Sequence, residues 1–259
     1  MSKKKCAILL RGHSKRTRTD PYDPIYFDAL LGGVQSFKEN VLAPLKDQYE
    51  VDVYMVPSNN DNIAQLCAEL SPRQFWLSMN EGDLAQSTNM LTGLTMLRKQ
   101  DHYDCIFITR FDILYKKKIT EFVNGRNEDV IIPFFDVQTT PNRSCDIMHW
   151  INNDSENKVF DKFIDSVLDI RNNNKEYNEK NTWEKRERTF HDIYNPLTER
   201  GLKVGVMVEG NYDSNTSRWP GAWKLPEGSR NDIFAMSGRL YYYDDIHHPT
   251  LFRPQIKGK

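Results

Sequence analysis

The run from Tyr103 to Asp112 places an arginine and a carboxylate directly after apolar, β-favouring residues: Ile106, Phe107 and Ile108 lead into Arg110 and Asp112. Open α/β sheets bind ligands at the carboxyl ends of their strands. Arg110 and Asp112 share one face if the strand runs through both. A guanidinium there ion-pairs an anionic group, and a carboxylate there coordinates a metal. The plainer reading is a strand-end salt bridge that fixes a loop. A second polar exit follows the apolar residues 6–10: Arg11, Gly12, His13 and Ser14, then the basic residues 15–18. It reads as a flexible polar loop suited to a phosphate or diphosphate-linked ligand. Asp146 and His149, three apart, share a face if their segment is helical. Asp146, Asp232 and Glu209, the last at the end of a strand over 202–209, are candidate general bases for a hydroxyl. Asp146 reads equally as a helix N-cap.

Residues 211–230 lack periodicity and carry Tyr212, Arg218, Trp219 and Trp223. Aromatic rings stack on the apolar face of a pyranose, and such a loop closes over a ligand and excludes water. Simple loop packing is the alternative, and Arg218 adds a phosphate contact. His247 and His248 precede Pro249 near the end of the chain, where a surface turn is the plain reading.

These residues need elements to hold them. Strands are expected over 6–10, 51–56 (ended by Pro57), 103–112, 129–135 and 202–209. Helices are expected over 27–45, 63–69 (capped by the Asn run at 59–62), 84–100, 159–168 and 190–200. Met90, Leu91, Leu94 and Leu97 form the inner stripe of the helix over 84–100. Strand and helix alternate through the first 115 residues, which predicts parallel pairing with crossover helices; the remainder is mixed. No repeat or interdomain linker interrupts the chain. One domain over 1–259 is expected, with a nucleotide-binding half to about 115 and an acceptor-binding half after it.

The balance of 35 basic against 36 acidic residues speaks against a bulk polyanion or nucleic-acid partner. Cys6, Cys67, Cys105 and Cys145 lack metal-ligand spacing, and Cys6 and Cys105 read as buried strand residues. That usage fits a reducing compartment, and the absence of a long apolar run predicts a cytoplasmic chain without a membrane span.

The strand opening into Arg11-Gly12-His13, and Tyr-Asp-Cys-Ile-Phe-Ile-Thr-Arg-Phe-Asp at 103–112, together resemble nucleotide-sugar glycosyltransferases of the GT-A fold. The likeness covers roughly residues 5–150, and its style is that of small transferases of large DNA viruses, those of algae especially. It implies an α/β fold with a central, mostly parallel and partly mixed sheet flanked by helices. It implies a sugar moved from a nucleotide diphosphate, UDP first and GDP next, to a glycan hydroxyl, with inversion. Arg11, Gly12, His13, Arg110 and Asp112 would bind the donor. Asp112 matches the last carboxylate of the family's Asp-x-Asp motif, and Arg110 stands where the first is expected. The family's Mn²⁺ or Mg²⁺ would fall to Asp112 with His247 or His248. Alternatively, Arg110 replaces part of the metal's charge. A nucleotidyltransferase and a non-catalytic carbohydrate-binding protein are the competing readings. The single glycine of the first exit argues against the former.

Overall fold

A computed structural model of the chain describes residues 3–18, 25–58, 62–78, 85–100, 102–111, 113–133, 135–136, 144, 146–178, 192–207, 211–212 and 234–236. The apolar N-terminal run forms β1 (Lys4–His13), and the basic residues after it form β2 (Lys15–Arg18), paired antiparallel with β3 (Ile25–Asp28). A continuous helical stretch follows: a π-helical turn at Ala29–Gly33, α1 (Val34–Phe37), a second π-helical turn at Lys38–Leu42, and α2 (Ala43–Gln48). Next come β4 (Tyr49–Ser58), α3 (Ile63–Leu70), β5 (Gln74–Phe75), α4 (Ala85–Arg98), β6 (Cys105–Arg110) and β7 (Ile113–Tyr115). Then follow α5 (Thr120–Val123), β8 (Val130–Ile132), β9 (Phe135–Asp136), β10 (Met148–Asn152), α6 (Lys158–Asn178), α7 (Tyr194–Glu199), β11 (Val204–Val206), β12 (Asn211–Tyr212) and β13 (Phe234–Met236).

The central sheet has seven strands in the order β11-β8-β10-β6-β1-β4-β5. β4, β1 and β6 run parallel, and β10 enters antiparallel between β6 and β8. This is the mixed α/β layout expected. Alternation along the strands splits the core into two layers. Cys6, Ile8, Leu10, Met55, Phe107 and Trp150 pack with Val34, Phe37, Val41, Leu45 and Leu66 from the helical stretch 29–48 and α3. Ala7, Leu9, Tyr54, Val56, Ile106 and Ile108 pack with Met90, Leu94 and Leu97 of α4 and with Phe163 and Val167 of α6. Helices therefore cover both faces, and a binding site is left the strand ends. No helix among the described residues is long and apolar enough to cross a membrane.

Several elements differ from the expectation. β1 does not stop at Leu10: Arg11, Gly12 and His13 continue it, because β4 pairs on one side through His13 and β6 on the other through Arg11. The stretch 11–18 is thus strand and hairpin rather than a flexible loop. Pro57 does not end β4. Its carbonyl accepts from the Ser78 amide at 2.9 Å, so its missing donor faces the short β5 side and leaves the pairing with β1 intact. Phe27 lies in β3, so the first helical stretch starts at Ala29. Asn62 makes no side-chain cap on α3; its Oδ1 accepts from Ser14 Oγ at 2.7 Å and ties the end of β1 to the start of the helix.

α4 meets β1 at Gly93. A Cβ there would lie 2.5 Å from Leu9 Cδ2 and 2.6 Å from Cδ1. Leu9 is fully buried and cannot step aside. Alanine gains about 1 kcal/mol of helix propensity over glycine, but overpacking costs about 1–3 kcal/mol. Gly93→Ala is expected to lower the melting temperature by up to about 8 °C, and a higher value in a thermal melt would refute this packing account.

Cys6 and Cys105 are register partners on β1 and β6, both buried, as their strand positions implied. Burial pushes the Cys6 thiol well above its ordinary range, with the Cys105 side chain adding to the effect. Only the thiolate reacts. Native protein at neutral pH should therefore resist alkylation at Cys6, and labelling followed by mass spectrometry should show modification only on unfolding.

Candidate functional site

The carboxyl ends of β1, β4 and β6 lie side by side, and polar side chains collect there. Arg11 and Arg110 are register partners. Each stands two residues beyond a member of the layer under α4 and α6, Leu9 in β1 and Ile108 in β6, so both guanidiniums leave that same face of the sheet. Two like charges on adjacent strands need a counter-charge, and Asp146 supplies it. Its backbone carbonyl accepts from Arg11 Nη2 at 2.6 Å, and its carboxylate pairs with Arg110 Nη1 at 3.6 Å. Arg11 is 1% exposed, whereas the Arg110 side chain is 16% exposed and that of Asp146 5%. Arg110 is therefore the guanidinium that reaches solvent, and Arg11 stands behind it.

Asp146 arrives by topology. β10 runs antiparallel to β6 with Met148 opposite Thr109, so the residues just before it pass the end of β6. The condition for Asp146 and His149 to share a helix face is not met: Asp146 lies in irregular backbone and His149 is inside β10. His149 points to the α6 side instead, fully buried, its ring 5.5 Å from that of Phe163. The extended conformation prevails because β10 is completed by pairing on both sides, with β6 and β8.

Beside the arginines, Gly12 has φ +89°, a conformation that favours glycine, and a Cβ there would meet nothing within 4 Å. The backbone thus borders open space, and His13 next to it is exposed. Across β4, Asn89 of α4 donates to Ser58 Oγ at 3.0 Å and bonds Ser78 Oγ. Ser58, Ser78 and Asn89 are buried polar residues that strand and helix patterns did not single out. Their only signal in the sequence is position, at or just beyond element ends.

β6 ends at Arg110, with Phe111 in a turn, so the strand expected to run to 112 stops at 110. The turn is fixed from below. Tyr115 of β7 bonds the Thr109 hydroxyl, its amide donates to Ser36 Oγ at 3.1 Å, and its carbonyl accepts from Asn40 Nδ2 at 2.9 Å.

Asp112, Glu209, Arg218, Trp219, Trp223, Asp232, His247 and His248 lie outside the described residues, and Tyr212 is described only as backbone in β12, paired with β9. Among the described residues no three His, Cys, Asp or Glu side chains gather as a metal site. The carboxylate at this strand end, Asp146, already engages Arg110. The charged side chains described at this strand end are thus two guanidiniums and one carboxylate.

No protein-family model matches the chain, and no curated protein does. Solved structures do resemble it. One, assigned as a nucleotide-diphospho-sugar transferase from Desulfovibrio desulfuricans G20, has 14% identity over 89% of this chain and 90% of its own, with a TM-score of 0.43. A nucleoside-diphosphate-sugar pyrophosphorylase from Vibrio cholerae RC9 has 14% identity over 77% of this chain and 90% of its own, at 0.44. A mutant Drosophila β1,4-galactosyltransferase 7, in complex with manganese, UDP-Gal and xylobiose, has 13% identity over 98% of this chain and 78% of its own, at 0.46.

Proposed function

We propose that the chain is a glycosyltransferase that moves a sugar from a nucleotide diphosphate, UDP first, to a glycan hydroxyl. The observation that carries this reading is the arginine pair at the carboxyl ends of parallel strands, with Arg110 reaching solvent beside the open backbone of Gly12. That is where an open α/β sheet takes its ligand, and a guanidinium fork matches phosphate oxygens. In the reaction the acceptor oxygen forms a bond to the anomeric carbon. The bond from that carbon to the phosphate oxygen breaks, and its electron pair leaves with the nucleoside diphosphate. Arg110 stabilises the charge that develops there. The acceptor proton passes to a carboxylate. Because Asp146 is engaged by Arg110, we assign that proton to Glu209 or Asp232, and the displacement inverts configuration. Tyr212, Arg218, Trp219 and Trp223 are proposed to cover the bound sugar, and the chain to act in the cytoplasm.

Isothermal calorimetry with UDP, GDP and their sugars tests the reading, followed by a donor-hydrolysis assay. Binding of one nucleotide, with slow hydrolysis of its sugar in the absence of acceptor, is expected. A protein that binds and turns over no nucleotide sugar refutes it, and release of diphosphate from a nucleoside triphosphate plus a sugar phosphate would identify a nucleotidyltransferase instead.

A further inference from the structure

The Asp-x-Asp resemblance leads to a dication at this strand end, and the described side chains point elsewhere. Where the first carboxylate is expected stands Arg110, and its register partner on β1 is a second arginine. Asp146, the carboxylate that reaches this strand end from β10, is held between them, its backbone oxygen on Arg11 and its side chain toward Arg110. Among the described side chains, a dication placed here would meet two guanidiniums and a carboxylate already turned toward one of them. A diphosphate meets the opposite field. Phosphate oxygens suit the planar donors of an arginine, and the positive charge of Arg11, nearly out of water, adds to the attraction.

We infer that this crevice binds the diphosphate of its donor through Arg110, backed by Arg11 and oriented by Asp146, without a divalent cation. The inference rests on the donor reading given above. Arg110 touches the phosphate. Arg11 and Asp146 are positioning residues: the Asp146 backbone ties Arg11 in place, and its carboxylate sets the side-chain direction of Arg110.

The test uses the intact, unmodified protein. UDP is titrated calorimetrically in EDTA and again in millimolar Mn²⁺ or Mg²⁺, and inorganic diphosphate and uridine are titrated in EDTA. UDP affinity is expected to agree within about threefold between the two conditions, and inorganic diphosphate to compete with UDP without metal. Rising salt should weaken UDP and leave uridine unchanged, because a guanidinium–phosphate contact is screened and base stacking is not. If metal raises UDP affinity tenfold or more, or diphosphate competes only when metal is present, the metal-free mode is overturned and the donor reading stands. If no nucleoside diphosphate binds in either condition, the donor reading fails and this inference fails with it.

Discussion

Replacing Arg110 with glutamine is expected to lower kcat/KM for sugar transfer by about 10- to 100-fold, the equivalent of losing one hydrogen bond to a charged group at about 1.5–3 kcal/mol. Glutamine keeps length and a donor but no charge. Lysine keeps the charge and loses the fork, so Arg110→Lys should recover only part of the loss. The effect should follow the phosphates: UDP binding weakens in the variant and uridine binding does not. Arg110 sits at the end of a strand whose preceding residues are buried on both faces, and its side chain is not part of the apolar layers. The apolar packing is therefore kept, but the Asp146 carboxylate, 5% exposed, loses that guanidinium, so the variant should also melt lower and kcat/KM is compared well below its melting temperature. Unchanged kcat/KM in a folded Arg110→Gln protein would remove the arginine from the reaction.

Loss of the Asp146 carboxylate should instead be felt in stability. Asp146→Ala leaves two guanidiniums on adjacent strands, one of them 1% exposed, without that counter-charge. Breaking a buried ion pair from one side costs about 3–5 kcal/mol, because the remaining charge stays desolvated. The backbone carbonyl that holds Arg11 survives the change, so the loss belongs to the side chain. Replacing both partners with apolar residues, as in Asp146→Leu with Arg110→Met, should restore much of the stability while activity stays lost. Urea denaturation of the single and double variants separates the two effects. A cost below about 1 kcal/mol for Asp146→Ala would mean that the pair is solvated like a surface salt bridge.

Much of this frame was legible along the chain because its signals are local. The wholly apolar run at 6–10 and the β-favouring run at 105–108 could only be buried strands, since a strand covered on both faces shows no alternation. The helical stripe Met90, Leu91, Leu94 and Leu97 faces the sheet, as its spacing required. From these followed the parallel β4-β1-β6 core and the place where it opens.

Other features depended on neighbours far away in sequence. β1 runs on through Arg11, Gly12 and His13 because β4 and β6 supply hydrogen-bonding partners there, while composition alone reads as a loop. Asn62, by its type a helix cap, is used by Ser14 across a distance of 48 residues. Asp146, three residues from His149, suggested a helix face, but β10 is extended because it closes a gap between two strands. The sequence by itself determined which residue types stand at the strand ends, and so that the crevice carries arginine where a carboxylate was expected. Only the tertiary structure decided that Arg11 and Arg110 are register partners and that Asp146 lies between them. Strand register and direction are set by pairing between segments far apart in sequence, such as Cys6 of β1 with Cys105 of β6, and no local pattern encodes that choice.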